Sequence, residues 1–454
     1  MPFTAAYLRK NIMALLTKAP RGTADVLPDE SYKLRYLEQR LMNSARLFGF
    51  REIRTPVFEH TELFLRGVGE TTDVVQKEMY TFEDNGKRSV TLRPEGTAGC
   101  VRAFLEHGLY NEALPQKYCY LTSCYRYEKP QAGRLREFHQ FGVEALGSDA
   151  PAEDAEIIAL AHHIFDLFGL DNIRLEINSI GCPACRKNFQ AALRSYFESH
   201  LGDLCETCRD RLARNPMRIL DCKSPVCSAI AKDAPKVLDY LCEECQTHFG
   251  EVQKYLKAMH IPFTVNPTIV RGLDYYTKTV FEFVSDAIGA QGTVCGGGRY
   301  DGLVEELGGQ PLPACGFGMG IERLRLLLGA GGIEFPPDDR PALYIAPASR
   351  EFSFEAMRLT DRLRGEGFEV LTDVSGRSVK AQMKFADKKR AQFTTVLGDA
   401  EVASHTAKFK NMDNGEVTEL DLDRLNEEFS GLWSNAVFGG FPDKPNLTLL
   451  NGGK

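Results

Sequence analysis

Between Ser31 and Phe48 the apolar residues Leu34, Leu37, Leu41, Ala45 and Phe48 return every three or four positions, and Gly49 follows. That spacing predicts an amphipathic helix with a glycine stop. The pattern then changes to alternation. "REIRTPVFE" (51–59) reads as a strand, with Pro56 at an edge or a break. "RSVTLRPEGTAGCVRAFLEHG" (88–108) reads as strand, turn and helix. "QKYCYLTSCYRYE" (116–128) and "REFHQFGVEALG" (136–147) read as two strands. Between them "KPQAGRL" holds Pro130 and Gly133, which makes a hairpin with a basic loop. "PAEDAEIIALAHHIFDLFG" (151–169) predicts a helix with an acidic first turn, and "IRLEIN" (173–178) a strand.

Composition shifts over 179–262 to helical stretches with paired cysteines, and the strand pattern resumes at Thr264. "CGFGMGIERLRLLLGAGG" (315–332) reads as strand, glycine turn, helix. The expectation is an α+β fold: one antiparallel-sheet domain over 1–178 and 263–335, split by a largely helical insertion over 179–262. "FPPDDRP" (335–341) has linker composition. Residues 341–425 alternate strand and helix, as a small separate α/β domain does. The last stretch, 426–454, is rich in Gly, Pro and Asn and has no assignable structure.

A chain of 454 residues exceeds one core. Its 43% hydrophobic and 26% charged residues are those of a soluble globular protein, and no run of about 18 apolar residues offers a membrane span. The net charge of -7 means that any nucleic-acid contact must rest on a local patch. One exists: Gly376–Lys410 carries eight Lys and Arg against three Asp and Glu. The first twenty residues hold Arg9, Lys10 and Lys18 and no acid, but no uninterrupted apolar stretch and no serine. They read as the ragged start of a cytoplasmic protein, Met13 being an alternative first residue.

The chemistry-bearing residues fall into clusters. Arg126 and Glu128 end one strand of the hairpin, and Arg134 and Arg136 lie in or beside its loop. Strand parity puts Arg136, Phe138, Gln140, Gly142 and Glu144 on one face, with Gly142 leaving room for a ligand. Arginine forks there suit phosphates and carboxylates. "GFGMGIERL" adds glycines and Arg323 near a helix start, which favours anions. It lacks the lysine of a P-loop and the βαβ context of a dinucleotide fold. "RGLDYYTKTVFEF" (271–283) and "GGGRYDGL" (296–303) add Arg271 and three tyrosines, Tyr275, Tyr276 and Tyr300.

Together these motifs resemble the histidyl-tRNA synthetases of bacterial type, a class II aminoacyl-tRNA synthetase family. "TPVFEHTELFLRGVGETTDVVQKEMYTFED" is similar to motif 1 with the segment after it, "YRYEKPQAGRLREFHQFGVEALG" to motif 2 and "GFGMGIERL" to motif 3. "RGLDYYTKTVFEF" and "GGGRYDGL" resemble the two signatures peculiar to the histidine enzymes. The likeness spans about residues 18–425. Lys278 departs from it, standing where the family usually has a small residue.

The resemblance implies a class II antiparallel-sheet catalytic domain and a C-terminal anticodon-binding domain. It implies a homodimer with L-histidine, ATP with Mg2+ and tRNA(His) as substrates, and histidyl-adenylate as intermediate. Arg271 matches the arginine that takes the place of a metal ion in related synthetases. Arg126 and Arg323 match the arginines on the α-phosphate and the ATP tail. Arg134 and Arg136, with Glu128, match motif 2 residues of the ATP site, and Phe138 the ring that stacks on adenine. Glu95 and Thr97 match the residues that hold the α-amino group, and Gln140 a contact to the substrate backbone. Glu144 and Tyr276 match those that bond the imidazole, with Tyr275 and Tyr300 closing the pocket. An acceptor and a hydroxyl suit the two ring nitrogens of imidazole. Two other readings compete: an inactive paralogue serving as the regulatory subunit of ATP phosphoribosyltransferase, and a tRNA-binding sensor.

Thirteen cysteines remain. Cys100, Cys119, Cys124, Cys295 and Cys315 are scattered and read as core thiols. The other eight form pairs: Cys182 with Cys185, Cys205 with Cys208, Cys242 with Cys245, each two residues apart, and Cys222 with Cys227, four apart. Such spacing lets two thiolates reach one ion, and four complete a closed structural zinc site. Eight suffice for two Zn2+ ions, with three ways of joining the pairs. Nearby Arg186, Arg209 and Lys223 would favour thiolates.

Overall fold

Pro28–Leu47 (α1) realises the first pattern. Pro28 starts the helix where a missing N–H costs nothing, Asp29 and Glu30 complement its positive end, and Leu37, Leu41 and Ala45 are buried. Gly49, at φ +83, takes the left-handed conformation that ends it. This computed structural model describes residues 16–69, 72, 74–220, 222, 224–269, 273–288 and 292–439. The chain forms two compact units, one ending at Pro336 and the other starting at Pro337.

The first unit is built on eleven strands: Arg51–Glu52 (β1), Phe58–His60 (β2), Tyr80–Glu83 (β3), Ser89–Leu92 (β4), Gln116–Tyr125 (β5), Glu137–Leu146 (β6), Arg174–Ser179 (β7), Thr264–Val265 (β8), Thr277–Val284 (β9), Thr293–Arg299 (β10) and Ala314–Gly320 (β11). Eight form one sheet in the order β1-β5-β6-β11-β10-β9-β7-β8. The ladder from β5 to β7 is antiparallel, and only β1 and β8 join parallel, at the two edges. The strand expected over 51–59 is two pieces in two sheets, because β2 pairs with β4 in a three-stranded sheet instead. Buried Arg93 holds the break open: its guanidinium donates to the Thr55 and Pro56 carbonyls, at 2.8 and 3.1 Å.

Thr61–Val68 (α2), Thr97–Glu106 (α3) and Pro151–Leu167 (α4) come in the expected order. The insertion contributes Pro183–Glu198 (α5), Glu206–Arg214 (α6), Pro225–Lys232 (α7) and Glu243–Ala258 (α8), and after it come Leu303–Glu306 (α9) and Ile321–Ala330 (α10). Helices α1, α4, α8 and α10 cover one face of the large sheet, over Phe141, Val143, Phe281 and Phe317. The opposite face carries Tyr118, Tyr120, Tyr275, Tyr276 and Tyr300, against α3 and the apolar side of α5. The insertion therefore packs on both faces: Phe249, Val252 and Leu256 of α8 on the first, Phe189, Leu193 and Phe197 of α5 on the second.

The glycine turn expected inside 315–332 is absent. Gly316, Gly318 and Gly320 belong to β11, and α10 begins directly at Ile321.

The second unit holds Leu343–Pro347 (β12), Ser353–Gly365 (α11), Val370–Thr372 (β13), Val379–Lys388 (α12), Phe393–Leu397 (β14), Asp399–Ser404 (α13), Thr406–Asn411 (β15), Val417–Asp421 (β16) and Leu425–Phe438 (α14). Its mixed sheet runs β13-β12-β14-β15-β16. The region expected to be a tail from 426 is in part core. Phe429 of α14 is fully buried, its ring 5.2 Å from that of Phe368, and Trp433 packs on Phe368 at 5.5 Å. Leu425, Phe429, Leu432 and Trp433 share one side of a helix, a pattern masked in sequence by the glycines and prolines after it.

Candidate active site

Glu144 is the centre of the site. It lies on β6, between β5 and β11, and is 1% exposed. Three hydroxyls donate to its carboxylate: Thr97 Oγ1 at 2.7 Å and Tyr120 Oη at 2.8 Å to Oε1, and Tyr300 Oη at 2.5 Å to Oε2. Burial pushes its proton affinity up to about 8 against the pull of those donors, and nearby Glu95 adds to the rise. A buried carboxylate with this many donors is a built acceptor site rather than a packing accident.

Glycines make the room. Gly316 of β11 stands opposite Glu144, and a Cβ there would lie 2.1 Å from Oε2. A Cβ on Gly318 would lie 2.3 Å from the Gln140 amide nitrogen. Gly142 differs from expectation: the space above it holds the Tyr120 ring, 2.3 Å from where a Cβ would stand, and not an opening for a ligand.

Around Glu144 the structure gathers most of the expected residues. Glu95 is buried and accepts from the Thr97 and Ala98 amides, at 2.7 and 2.9 Å, which caps α3. Gln140, two pleats along the same strand face, accepts from the Gly96 amide at 3.1 Å. Tyr275 and Tyr276 are buried with ring centroids 4.6 Å apart, and Tyr275 sits 5.5 Å from Tyr300. Arg271 lies outside the described residues.

Gln140 also opens onto a cavity of about 180 Å³ lined by Arg126, Glu128, Arg134, Phe138 and Arg323. The Arg126 guanidinium lies 5.3 Å from the Phe138 ring centroid, and Arg134 pairs with Glu128. Arg323 reaches from α10 to the Thr293 carbonyl (2.6 Å) and to Gly133 in the hairpin loop (3.2 Å). Arg136 does not join them, contrary to the parity expectation. It precedes β6, and its guanidinium stacks 3.8 Å over Tyr127.

Sequence reasoning gave no role to Tyr120, Arg299 or Glu322. Tyr120 pairs with Gly142 across the hairpin, a register visible only once the strands are aligned. Arg299 is fully buried and pairs with Asp154, and its Nη1 donates to the Ser148 carbonyl at 2.8 Å, fixing the end of β10 beside Tyr300. Glu322 accepts from the His139 amide at 3.0 Å and contacts its Nδ1 at 2.8 Å, which locks α10 to β6. An arginine inside a glycine run and a glutamate in a helix's first turn were the available signals.

The cysteines assemble into two quartets: Cys182, Cys185, Cys242 and Cys245, and Cys205, Cys208, Cys222 and Cys227. Within each quartet all four sulfurs lie within 4.8 Å of one another. Cys182 and Cys185 are 3.5 Å apart, and Cys205 and Cys222 3.9 Å. Tetrahedral coordination at ~2.3 Å requires about 3.8 Å between sulfurs. In each quartet a backbone N–H donates to a sulfur of another pair, Cys242 to Cys185 at 3.1 Å and Cys205 to Cys227 at 3.3 Å. The expected cationic neighbours are engaged elsewhere: Arg186 donates to the Asp274 carbonyl and Arg209 to the Gly202 carbonyl, while Lys223 lies outside the described residues.

Comparison with known proteins places this geometry. The family model for histidyl-tRNA synthetase matches residues 22–324, and that for an anticodon-binding domain matches 342–432. The histidine--tRNA ligase of Caldanaerobacter subterraneus subsp. tengcongensis is 54% identical over 411 residues, covering 90% of this chain and 99% of that protein. That of Clostridioides difficile is 52% identical, covering 91% and 99%. Among solved structures, apo histidyl-tRNA synthetase of S. aureus is similar with a TM-score of 0.78 at 41% identity, covering 91% of this chain and all of that one. A Bacillus halodurans structure titled as an ATP phosphoribosyltransferase regulatory subunit/histidyl-tRNA synthetase has a TM-score of 0.60 at 23% identity over 82% of this chain, a likeness of fold alone.

Proposed function

The chain belongs to the histidyl-tRNA synthetase family, and from that premise we propose which of its residues carry out the reaction. The protein is a histidine--tRNA ligase that attaches L-histidine to tRNA by way of histidyl-adenylate. The observation that carries the residue assignment is the junction at Gln140. On one side lies a buried carboxylate ringed by hydroxyls, on the other a cavity lined by an aromatic ring and three arginines.

Histidine enters with its imidazole between Glu144 and Tyr276, and Tyr275 and Tyr300 exclude water around it. Glu95, Thr97 and Gln140 hold the α-amino end. ATP lies in the adjoining cavity, its adenine on Phe138. A carboxylate oxygen of histidine attacks the α-phosphorus, the bond to the bridging oxygen breaks, and pyrophosphate leaves. Arg126 and Arg271 stabilise the charge that builds on the α-phosphoryl oxygens, and Arg134 and Arg323 hold the leaving group. Glu128 and Glu322, the two carboxylates lining the cavity, would hold the Mg2+ that comes with ATP through the oxygen ligands a hard cation takes, and that ion would offset the charge of the phosphates. A ribose hydroxyl at the tRNA end then attacks the acyl carbon and releases AMP. Histidine-dependent exchange of pyrophosphate into ATP tests the assignment. Exchange is expected to fall at least a hundredfold in Glu144→Ala, and unchanged exchange would overturn it. The regulatory-subunit and sensor readings are not favoured, since the relatives named histidine--tRNA ligase are 52–54% identical over some nine-tenths of the chain.

The working form is a homodimer. Phe58, Leu92 and Tyr80 form one row across the small sheet, with His60, Val90 and Phe82 in the next, and Phe58 and Phe82 stay 55% and 48% exposed. A second copy would cover that apolar face. The second unit reads the anticodon arm of tRNA(His). Lys380, Lys384 and Lys388 line an exposed side of α12. Lys408 and Lys410 alternate with buried Ala407 and Phe409, so they project to the side of the sheet where α12 packs. No helix among the described residues is long and apolar enough to cross a membrane, and a cytoplasmic location suits an enzyme whose substrates are histidine, ATP and tRNA. Each cysteine quartet holds one structural Zn2+, for which its sulfur spacing and cross-pair N–H donors are suited.

A further inference from the structure

The segment Asp274–Lys278 carries two tyrosines of the histidine pocket, Tyr275 and Tyr276, and its two ends are held by the cysteine-rich insertion. Asp274 accepts from Arg218 Nη2 at 2.9 Å, and its backbone carbonyl accepts from Arg186 Nη1 at 3.3 Å. Arg218 lies in the turn between Cys208 and Cys222, and Arg186 directly follows Cys185. One residue of each quartet's own framework therefore grips Asp274.

Lys278 is held at the other end. Its amide donates to the Gly181 carbonyl at 2.9 Å, and its carbonyl accepts from the Ile180 amide at 2.8 Å. Gly181 immediately precedes Cys182. The Lys278 ammonium reaches Glu244 at 2.9 Å, and Glu244 sits between Cys242 and Cys245. The Lys278 backbone is left-handed, at φ 46, a conformation that costs a lysine about 1 kcal/mol and persists only where its surroundings fix it. Here the fixing partners are the two backbone bonds to the residues that lead into the first quartet.

We propose that the two metal-bound quartets position Tyr275 and Tyr276, so that zinc occupancy sets the affinity for histidine. This rests on the reading of the quartets as zinc sites. The quartets are nested, residues 205–227 inside residues 182–245, so the outer ion closes the insertion onto β9 and the inner ion fixes the turn that presents Arg218. Without the ions the pairs of cysteines keep only weak contacts to sulfur, such as those from the Cys242 and Cys205 amides to Cys185 and Cys227, and the partners of Asp274 and Lys278 are no longer fixed in place. Arg186, Arg218 and Lys278 act through the tyrosines and touch no reacting atom. The signature is therefore a change in KM for histidine with little change in kcat or in KM for ATP.

The test uses full-length protein from zinc-replete cells, assayed for metal and for histidine-dependent pyrophosphate exchange in the same samples. About two zinc ions per chain are expected at the start. Chelation should raise the KM for histidine about tenfold, the scale of one lost charge-assisted hydrogen bond, and added Zn2+ should restore it. Arg218→Gln, with its zinc intact and its thermal melt unchanged, should give the same rise. Protein that neither carries nor takes up metal would overturn the zinc reading and the proposal with it. A zinc-bearing protein whose KM for histidine is unmoved by stripping would keep the zinc reading and overturn the positioning role. Should stripping unfold the chain, zinc-loaded Arg218→Gln decides: an unchanged KM for histidine rejects the proposal, and a selective rise supports it.

Discussion

Gly316 stands directly opposite Glu144 in the β6–β11 ladder, and a Cβ on it would lie 2.1 Å from Glu144 Oε2 and 2.2 Å from the Val143 carbonyl. Neither a buried carboxylate held by three hydroxyls nor a backbone carbonyl can retreat cheaply. Gly316→Ala should displace Glu144 and raise the KM for histidine by about tenfold or more, while the KM for ATP moves little. Steady-state exchange kinetics at varied histidine would show it, and a variant with parental KM would mean that the strand relaxes instead.

Glu144 itself predicts a pH effect on stability. Burial holds its proton to about 8 in the fold, against 4.5 for an ordinary glutamate, so folding takes up a proton between those values. The stability this contributes is present below pH 4.5 and is lost as pH rises through 8. Without histidine, the Tm of the parent should fall relative to that of Glu144→Gln as pH goes from about 5 to about 8.5. Parallel Tm curves would show that the carboxyl titrates normally.

Arg126→Ala and Arg271→Ala should each lower histidine-dependent exchange by about a hundredfold or more, the scale of one lost transition-state donor. Arg271→Ala is expected to melt like the parent. Arg126→Ala also loses the bond to the Pro94 carbonyl, 2.8 Å long, and should melt slightly lower. Near-normal exchange in either variant removes that arginine from the proposed machinery.

Reversing Lys380, Lys384 and Lys388 to glutamate should leave exchange intact and raise the KM for tRNA in charging. The fall of tRNA affinity with salt should become shallower by about one phosphate contact for each lysine that makes one. Charging that ignores the triple change would move the tRNA surface elsewhere on the second unit.

Phe58→Asp with Phe82→Asp should convert a dimer to monomer, read by light scattering at micromolar concentration, with loss of exchange. A parental mass would exclude that sheet face from the interface.

Local pattern made much of the architecture legible. Period-2 and period-3.6 runs marked the long hairpin strands, α1, α4 and the alternating second unit, because each repeat reflects which side of an element is buried. The split of 51–59 between two sheets was not legible, since it depends on Arg93 capturing two carbonyls from far along the chain. Nor was the burial of α14, whose apolar side gains meaning only against Phe368, Phe393 and Phe409.

The same division runs through the site. Residue types and spacing drew Glu144, Gln140, Phe138, Arg126, Arg323 and the tyrosines into clusters that packing alone hardly explains when taken together, and the family resemblance gave each its role. Spacing likewise identified four cysteine pairs. It could not say that Gly316 and Gly318 lie within a strand to clear space for Glu144 and Gln140, that Tyr120 fills the gap over Gly142, or that Arg136 turns away to Tyr127. It could not join Cys182 and Cys185 to Cys242 and Cys245 across 57 residues of chain. Those facts depend on cross-strand register and on contacts between distant segments. A periodic pattern records only which side of each element is buried, so the identity of the neighbour on that side was left to tertiary packing.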